Sequence, residues 1–471
     1  MLRQSRQAMP PPAQARGPSA LARSIPQTPR PTPQREPPSL ASSLKKLSQC
    51  STTELYPRLS LYAALTGFRE TPKRRAKSTD AACDARREFL DSFAYLCDVK
   101  KGGATVTAAA LQKLPMSNIL WLAANEGISE DIEKYARNIR SKLCTINVQN
   151  EKKIHDEIFQ LAVKKCAPRI RFYRDELKRY ATRCRMTLKQ QAQDEIVKTL
   201  RSKLKKLSDQ PAQNVTADRG LINLCYDMRD SEICHINNKS NGPESDFSKL
   251  AHFIWRLGAT RCAVNRVVEG ALKDPSLQLI SDIRTIKAPE TARITTEARF
   301  LSPHEVLHSI VNDSVMHNPL HDKDVFDRLC QLDVPRSRPI HTEMAKRTTV
   351  VTRVHAELQI ADRFSRSKDM KFVGDDRFIG CSKPACYFCS AWLCEHKKDY
   401  VSPGTHRKVI PGCRGPDNDL NEAGAQVLLD LYRKIVRRVG QDIYQFLQES
   451  HQPRRHFMST EAPSETSLAN S

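Results

Sequence analysis

Thr348-Thr349-Val350-Val351-Thr352-Arg353-Val354-His355-Ala356-Glu357-Leu358-Gln359-Ile360-Ala361-Asp362-Arg363-Phe364 carries two periodicities in one run. Its first part is dense in β-branched residues and reads as a strand. From His355 onward, Leu358, Ala361 and Phe364 recur at helical spacing, so His355 stands where a strand becomes a helix. The alternation repeats downstream. Gly374-Asp375-Asp376 marks a turn, Arg377-Phe378-Ile379-Gly380 reads as a short strand, and Cys381 to Ala385 reads as a loop. Cys386 then opens a helix with Cys389, Trp392 and Leu393 on one side. The order strand–helix–strand–helix predicts an α/β unit. Two parallel strands side by side would bring both helix starts to one edge of the sheet.

Those helix starts carry metal-ligand chemistry. Zinc takes a small tetrahedral set of nitrogen and sulfur donors, and three protein ligands leave one place for water. His355, Cys386 and Cys389 supply such a set. Glu357, two residues after His355, stands beside the metal and is placed to move protons. Helix N-termini also favour thiolate anions. Cys381, Cys394 and Cys413 lie close in sequence; a fourth protein ligand among them would close the site and make the zinc structural.

His355-Ala356-Glu357 followed by Cys386-Tyr387-Phe388-Cys389 resembles the H-x-E … C-x-x-C signature of the zinc-dependent nucleoside and nucleic-acid deaminase superfamily. The wider text from Ile379 to Cys389 is similar to the deaminase-like branch expanded in fungi and related to bacterial deaminase toxins. The resemblance covers roughly residues 340–415. It implies a three-layer α/β/α fold with a mixed sheet, a Zn2+ cofactor, and hydrolytic removal of an exocyclic amine from C4 of cytosine or C6 of adenine. It assigns His355, Cys386 and Cys389 to the metal and Glu357 to proton transfer. Two departures are visible. Ala385, not Pro, precedes the first cysteine, and one weak strand near Lys408-Val409-Ile410 stands where the fold has another strand.

His-x-Glu occurs three times, at His155, His341 and His355. His155 lies in a basic helical run without a preceding strand, and His341 follows Pro339 at a loop-like position. His355 alone has the strand before it and the cysteines at a fitting distance. His304-Glu305-Val306-Leu307-His308 matches the H-E-x-x-H pattern of metalloproteases. Ser302-Pro303 places it at a helix start, which a structural reading explains better. Thr405-His406-Arg407-Lys408 follows Gly404 as a turn near the expected pocket. His406 and Lys408 there, with Ser382 and Lys383 before the cysteine helix, are the candidate substrate contacts. Phe388 and Trp392 fit core packing better than base stacking.

Working outward, residues 1–45 are rich in Pro, Gln, Arg and Ser and read as a disordered tail. Residues 46–285 read as mainly helical. Residues 286–450 form the deaminase-like domain, with a core at about 340–415 and a long amphipathic helix at about 420–448. Residues 451–471 read as a second disordered tail. The chain carries a formal charge of +23. Residues 1–50 and 151–210 hold sixteen of those surplus charges. This favours a nucleic-acid or nucleotide partner through phosphate neutralisation. No apolar run suits a signal peptide or a membrane span, so no membrane partner is expected. Fifteen scattered cysteines without a framework point to a reducing, intracellular setting, cytoplasmic or nuclear. The prolines of the N-terminal segment disfavour a mitochondrial transit helix. Two rivals to a deaminase stand at this point: a catalytically inactive zinc-stabilised interaction domain, and a basic nucleic-acid-binding scaffold. Sequence leaves the oligomeric state open.

Overall fold

Thr107–Lys113 (β1) and Asn118–Ala124 (β2) form an antiparallel hairpin at the centre of the molecule, in register from Thr107 opposite Ala124 to Lys113 opposite Asn118. The turn closes where Leu114 N–H donates to the Ser117 carbonyl. The computed structural model describes residues 39–66, 73–189, 195–211, 213–229, 245–312, 319–333, 339–367 and 369–449. The expected tail at 451–471, and the expected N-terminal tail up to residue 38, lie outside the described residues. Within the same expected tail, residues 40–45 belong to a helix, Leu40–Cys50 (α1), capped by the Ser39 hydroxyl.

The hairpin is buried on both faces. Ala109, Leu111, Leu120 and Leu122 enter one core, while Ala108, Ala110, Ile119, Trp121 and Ala123 enter the other. Neither strand therefore shows the apolar–polar alternation of a half-solvated strand. Ile280–Thr285 (β3) pairs in parallel with β2. On the other side of β1, Lys371–Phe372 (β6) and Gly380–Cys381 (β7) pair with it antiparallel. A second, small sheet joins Ala292–Thr295 (β4), Thr349–Val354 (β5) and Cys413–Arg414 (β8).

The segment read as mainly helical thus supplies β1, β2 and β3 as well as its helices. Tyr56–Leu65 (α2) follows α1, and Ala81–Cys97 (α3) packs on β1. Glu130–Leu143 (α4), Glu151–Lys165 (α5), Ala167–Lys189 (α6), Glu195–Ser208 (α7), Val215–Asp227 (α8) and Asp246–Lys273 (α9) follow in a run. With α3 they build the core on one face of the sheet. Pro275–Gln278 (α10) leads into β3.

Pro303–Val311 (α11), Pro319–Asp333 (α12) and Ile340–Ala345 (α13) precede β5. Ala356–Arg366 (α14), Tyr387–Glu395 (α15) and Glu422–Gln448 (α16) complete the opposite core with α1 and α2. The result is a three-layer α/β/α arrangement around a mixed sheet. The described residues form one body, and the hairpin that supports the candidate site lies over two hundred residues before it in the chain. Among the described residues, no helix is long and apolar enough to cross a membrane.

Ser302 caps α11 by accepting from Glu305 N–H, so the H-E-x-x-H motif does begin its helix. His304 and His308 lie on the exposed face of that helix, against Phe326.

Candidate metal centre and cleft

His355 is the N-cap residue of α14, with extended backbone (φ −69°, ψ 155°) and no capping bond from its ring. The ring is thereby left to face the cysteines. Two bonds fix the helix start. Ala356 N–H donates to Asn125 Oδ1 at 2.9 Å, and Gln359 Nε2 donates to the carbonyls of Ala124 and Val354. Ala124 ends β2 and Asn125 follows it directly, so the hairpin sets where the histidine stands. Cys386 is likewise the N-cap of α15, its Sγ accepting from Cys389 N–H at 3.5 Å. Two helix N-termini therefore converge on the sulfurs.

The strands behind these helices are not neighbours. β5 leads into His355 but belongs to the small sheet, whereas β7 precedes Cys386 and pairs with β1. The expected parallel pair is replaced by packing of α14 across β1 and β2. The expected strand at Lys408–Ile410 is also displaced. Residues 404–408 instead lace along the start of α15: Ala385 N–H donates to the Gly404 carbonyl, His406 N–H to Ala385, and Tyr387 N–H to Lys408. Strand pairing comes later, where Cys413 and Arg414 lie opposite Arg353 and Val354 of β5.

That pairing brings in a fourth sulfur. The donor atoms of His355, Cys386, Cys389 and Cys413 lie within 4.8 Å of one another. His355 Nδ1 is 3.6 Å from Cys386 Sγ and 3.3 Å from Cys389 Sγ, and Cys389 Sγ is 3.4 Å from Cys413 Sγ. Cys389 and Cys413 have no solvent exposure. Tyr56 holds the Cys413 backbone by donating its hydroxyl to the carbonyl at 3.0 Å. Sequence reading named Cys413 among the nearby cysteines without assigning it. No short motif marks it, and the parallel pairing of β8 with β5 delivers it.

Charge distribution in the cluster suits a cation. Burial opposes the Cys386 thiolate, yet hydrogen bonds from the other two thiols and the His355 ring hold its pKa well below the usual range. Burial, then the hydrogen bond shared with Cys386, pushes Cys389 up and Cys413 up to about 12. For His355, burial disfavours the charge, but the Cys413 and Cys386 sulfurs raise it well above an ordinary histidine. Thiols and an imidazole that share protons at these separations are donors from which a bound metal would displace the protons. Three sulfurs and one nitrogen at these separations fit zinc.

Glu357 is 4% exposed and lies beside the cluster. Burial raises its carboxyl pKa, against the pull of His355, and a contact with Cys389 offsets part of the rise. A cleft of about 640 Å³ opens over it, reaching His355, Glu357 and Cys386 but not Cys389 or Cys413. Lys383, His406 and Lys408 line this cleft, with Arg353, Glu126, Asn125 and the Gly102-Gly103 turn. Ser382 does not. It is fully buried, its Oγ accepting from Thr107 N–H and donating to Asp98 Oδ2, so it fastens the cysteine loop to β1. Lys383 donates to the Gly102 carbonyl and lies 3.6 Å from Asp98. The two other His-x-Glu histidines stand apart: His155 Nε2 meets Asn265 Oδ1, and His341 meets Asp333.

Residues 354–417 match the family model of the OTT_1508_deam-like deaminases. This segment is a deaminase-like domain. The match begins one residue before His355 and ends after Cys413, so it contains all four candidate ligands and Glu357. The hairpin, the helical layer and α16 lie outside it. No curated protein and no solved structure matches the chain.

Proposed function

We propose that the deaminase-like domain is a zinc-dependent hydrolase that removes the exocyclic amine of a cytosine or adenine base, carried by nucleic acid or a nucleotide. The observation that carries this reading is Glu357. A buried carboxyl at the floor of an open cleft, beside a metal-ligand cluster and not itself a member of it, is placed to transfer protons. Zinc, when bound, supplies Lewis acidity that lets a water ionise near neutral pH. Glu357 Oε would take the proton of that water, carry it to the ring nitrogen, and then serve the departing ammonia. His355 and Cys386 reach the cleft and hold the reacting side of the site, while Cys389 stays behind them. Arg353 pairs with Glu126 at 2.5 Å and Lys383 with Asp98 at 3.6 Å, so Lys408, beside His406, is the basic group of the wall that favours a phosphate-bearing substrate. The basic surplus of residues 151–210 adds a sequence-independent grip on such a substrate.

One observation favours a second reading. With Cys413 bound, the metal would have four protein ligands and no place for water, as in structural zinc sites. The domain would then be a zinc-stabilised interaction module. Ammonia release separates the two. The full chain, loaded with zinc, is assayed on cytidine and adenosine nucleotides, single-stranded DNA and RNA, beside Glu357→Gln. Turnover that disappears in Glu357→Gln while zinc stays bound supports the deaminase. Absence of turnover on the whole panel, with zinc held by four ligands, supports the module.

A further inference from the structure

The cleft over Glu357 has a rim that leads away from the metal centre. On one side this rim is the turn Lys100-Lys101-Gly102-Gly103, whose two glycines line the cleft and are exposed. Gly102 has φ +123°, a backbone state that other residues avoid, and a Cβ on either glycine would meet nothing within 4 Å. The two glycine carbonyls are taken. Lys383 donates to Gly102, and Val106 N–H and Asn125 Nδ2 donate to Gly103. Among the described residues, no protein group accepts from the N–H of Gly102 or Gly103. An open backbone with its donors unclaimed leaves room for a phosphate oxygen at the mouth of the cleft.

The same turn passes directly onto α6. Lys101 Nζ lies 5.8 Å from the ring centre of Phe172 and 6.0 Å from that of Tyr173. Tyr173 is buried, whereas Phe172 is 41% exposed. Among the described residues it is the only phenylalanine, tyrosine or tryptophan that stands exposed. One exposed ring by itself needs no explanation. Its place does, because it continues the line of the cleft past Lys101 and has a cation on its other side. That cation, Arg171, is exposed and bonds to a neutral partner, Gln213 Oε1, at 2.8 Å. Lys100 is exposed at the start of the turn. Against these stands Asp175, exposed one turn beyond Phe172, while Glu176 is paired with Arg179.

Cations on both sides of an exposed ring, continuous with a cleft that ends on a buried carboxyl, fit one kind of ligand. In a single strand the phosphates meet the cations and an unstacked base lies on the ring. A duplex keeps its base faces covered, and a mononucleotide held in the cleft does not extend to α6.

We propose that the Lys100–Gly103 turn and the Phe172 end of α6 form a track for single-stranded nucleic acid that leads into the cleft. The proposal names the substrate class of the deaminase-like site and so rests on that reading, but its binding is measured without turnover. None of these residues lies within 354–417, the segment that matches the family model, so the likeness to that family does not supply the track.

The test uses the full chain as Glu357→Gln, so that no strand is consumed, and follows the anisotropy of labelled single-stranded DNA and RNA. Unlabelled duplexes of the same sequences and polyglutamate serve as competitors. Single strands should bind, and Phe172→Ala should weaken them about five- to a hundredfold, the weight of one stacked base, with Phe172→Trp restoring the affinity. Replacing Lys100 and Arg171 together by Ala should flatten the slope of log affinity against log salt by about 1.4, for two phosphate contacts. Met186→Ala, exposed further along the same helix, should change neither. Native affinity in Phe172→Ala overturns the track, and so does competition by duplex or polyglutamate as strong as by the strand. The deaminase reading fails separately: strand binding that depends on Phe172, without ammonia release by the zinc-loaded native chain, keeps the track and removes the reaction. Ammonia release from strands that is indifferent to Phe172→Ala keeps the reaction and removes the track.

Discussion

Cys413 Sγ lies 3.4 Å from Cys389 Sγ, although the two residues approach from different elements, a strand paired with β5 and the first turn of α15. The contact places Cys413 within the donor set. In cobalt-substituted protein, thiolate-to-metal charge-transfer absorption reports how many sulfurs are bound. Replacing Cys386, Cys389 or Cys413 singly by Ser should each remove about a third of it, as expected for three equivalent soft ligands. Cys394→Ser should leave it intact. An undiminished band in Cys413→Ser would return the site to three protein ligands.

Glu357 has a different expected signature. Its carboxyl is buried beside the metal donors but is not one of them, so Glu357→Gln should keep the zinc content and the melting temperature of the native chain. Any deaminase turnover should fall by roughly a hundred- to ten-thousand-fold, the usual weight of a positioned general acid–base. Loss of zinc in this variant would mean that the carboxylate holds the cluster rather than moving protons.

The reasons why some of this could be read from sequence, and some could not, are local. His355, Glu357, Cys386 and Cys389 sit in two short motifs at helix starts, where residue type and backbone position are linked, so their text is sufficient. The hairpin is another matter. Ala108 and Ala110 face one core, Ala109 and Leu111 the other, and a strand covered on both sides loses its period of two. Alanine-rich text then looks helical. Cys413 falls between these cases, because its place depends on a pairing between residues some sixty apart that no local pattern records.

Asn125 is the long-range tie that makes the hairpin matter to the site. Its Oδ1 caps Ala356 N–H and its Nδ2 donates to the Gly103 carbonyl at 2.9 Å. Asn125→Ala should cost about 1–2 kcal/mol, as for loss of a helix cap, and should weaken zinc retention against a competing chelator. Asn125→Asp keeps the acceptor and should recover most of the stability. If the alanine variant melts and holds zinc like the native chain, the hairpin does not position His355.

Gly380 tests how closely the helical layer must approach the sheet. A Cβ there would lie 2.5 Å from the Leu90 carbonyl carbon and 2.6 Å from Asp91 N, both backbone atoms of α3 that cannot turn aside. Asp91 also accepts from Cys381 N–H at 2.8 Å, so a displaced α3 releases the strand that leads to Cys386. Gly380→Ala should destabilise by about 2–3 kcal/mol or more, in the range for overpacked cores. Gly103→Ala, with nothing within 4 Å of the added carbon, is the matched control and should be tolerated. Equal urea midpoints for the two variants would contradict the close packing.

His396 gives the fold a defined sensitivity to acid. Burial, then the charges of Lys398 and Lys434, lowers its pKa from 6.5 to about 4. The folded chain therefore keeps this ring neutral while the unfolded chain protonates it between those values. Since the unfolded state binds the extra proton there, stability is full above pH 6.5 and falls as the pH drops towards 4. The shift corresponds to on the order of 3 kcal/mol once the pH is below both values. His396→Phe keeps a ring against Trp392 but has no titration. Urea unfolding at pH 7.5 and pH 5.0 should show the native chain losing roughly 1–2 kcal/mol more than the variant, somewhat over half of the full effect being expressed at pH 5. Protonation of the metal-site thiolates acts on both proteins alike and cancels in the comparison, so equal losses would mean that His396 is not held neutral.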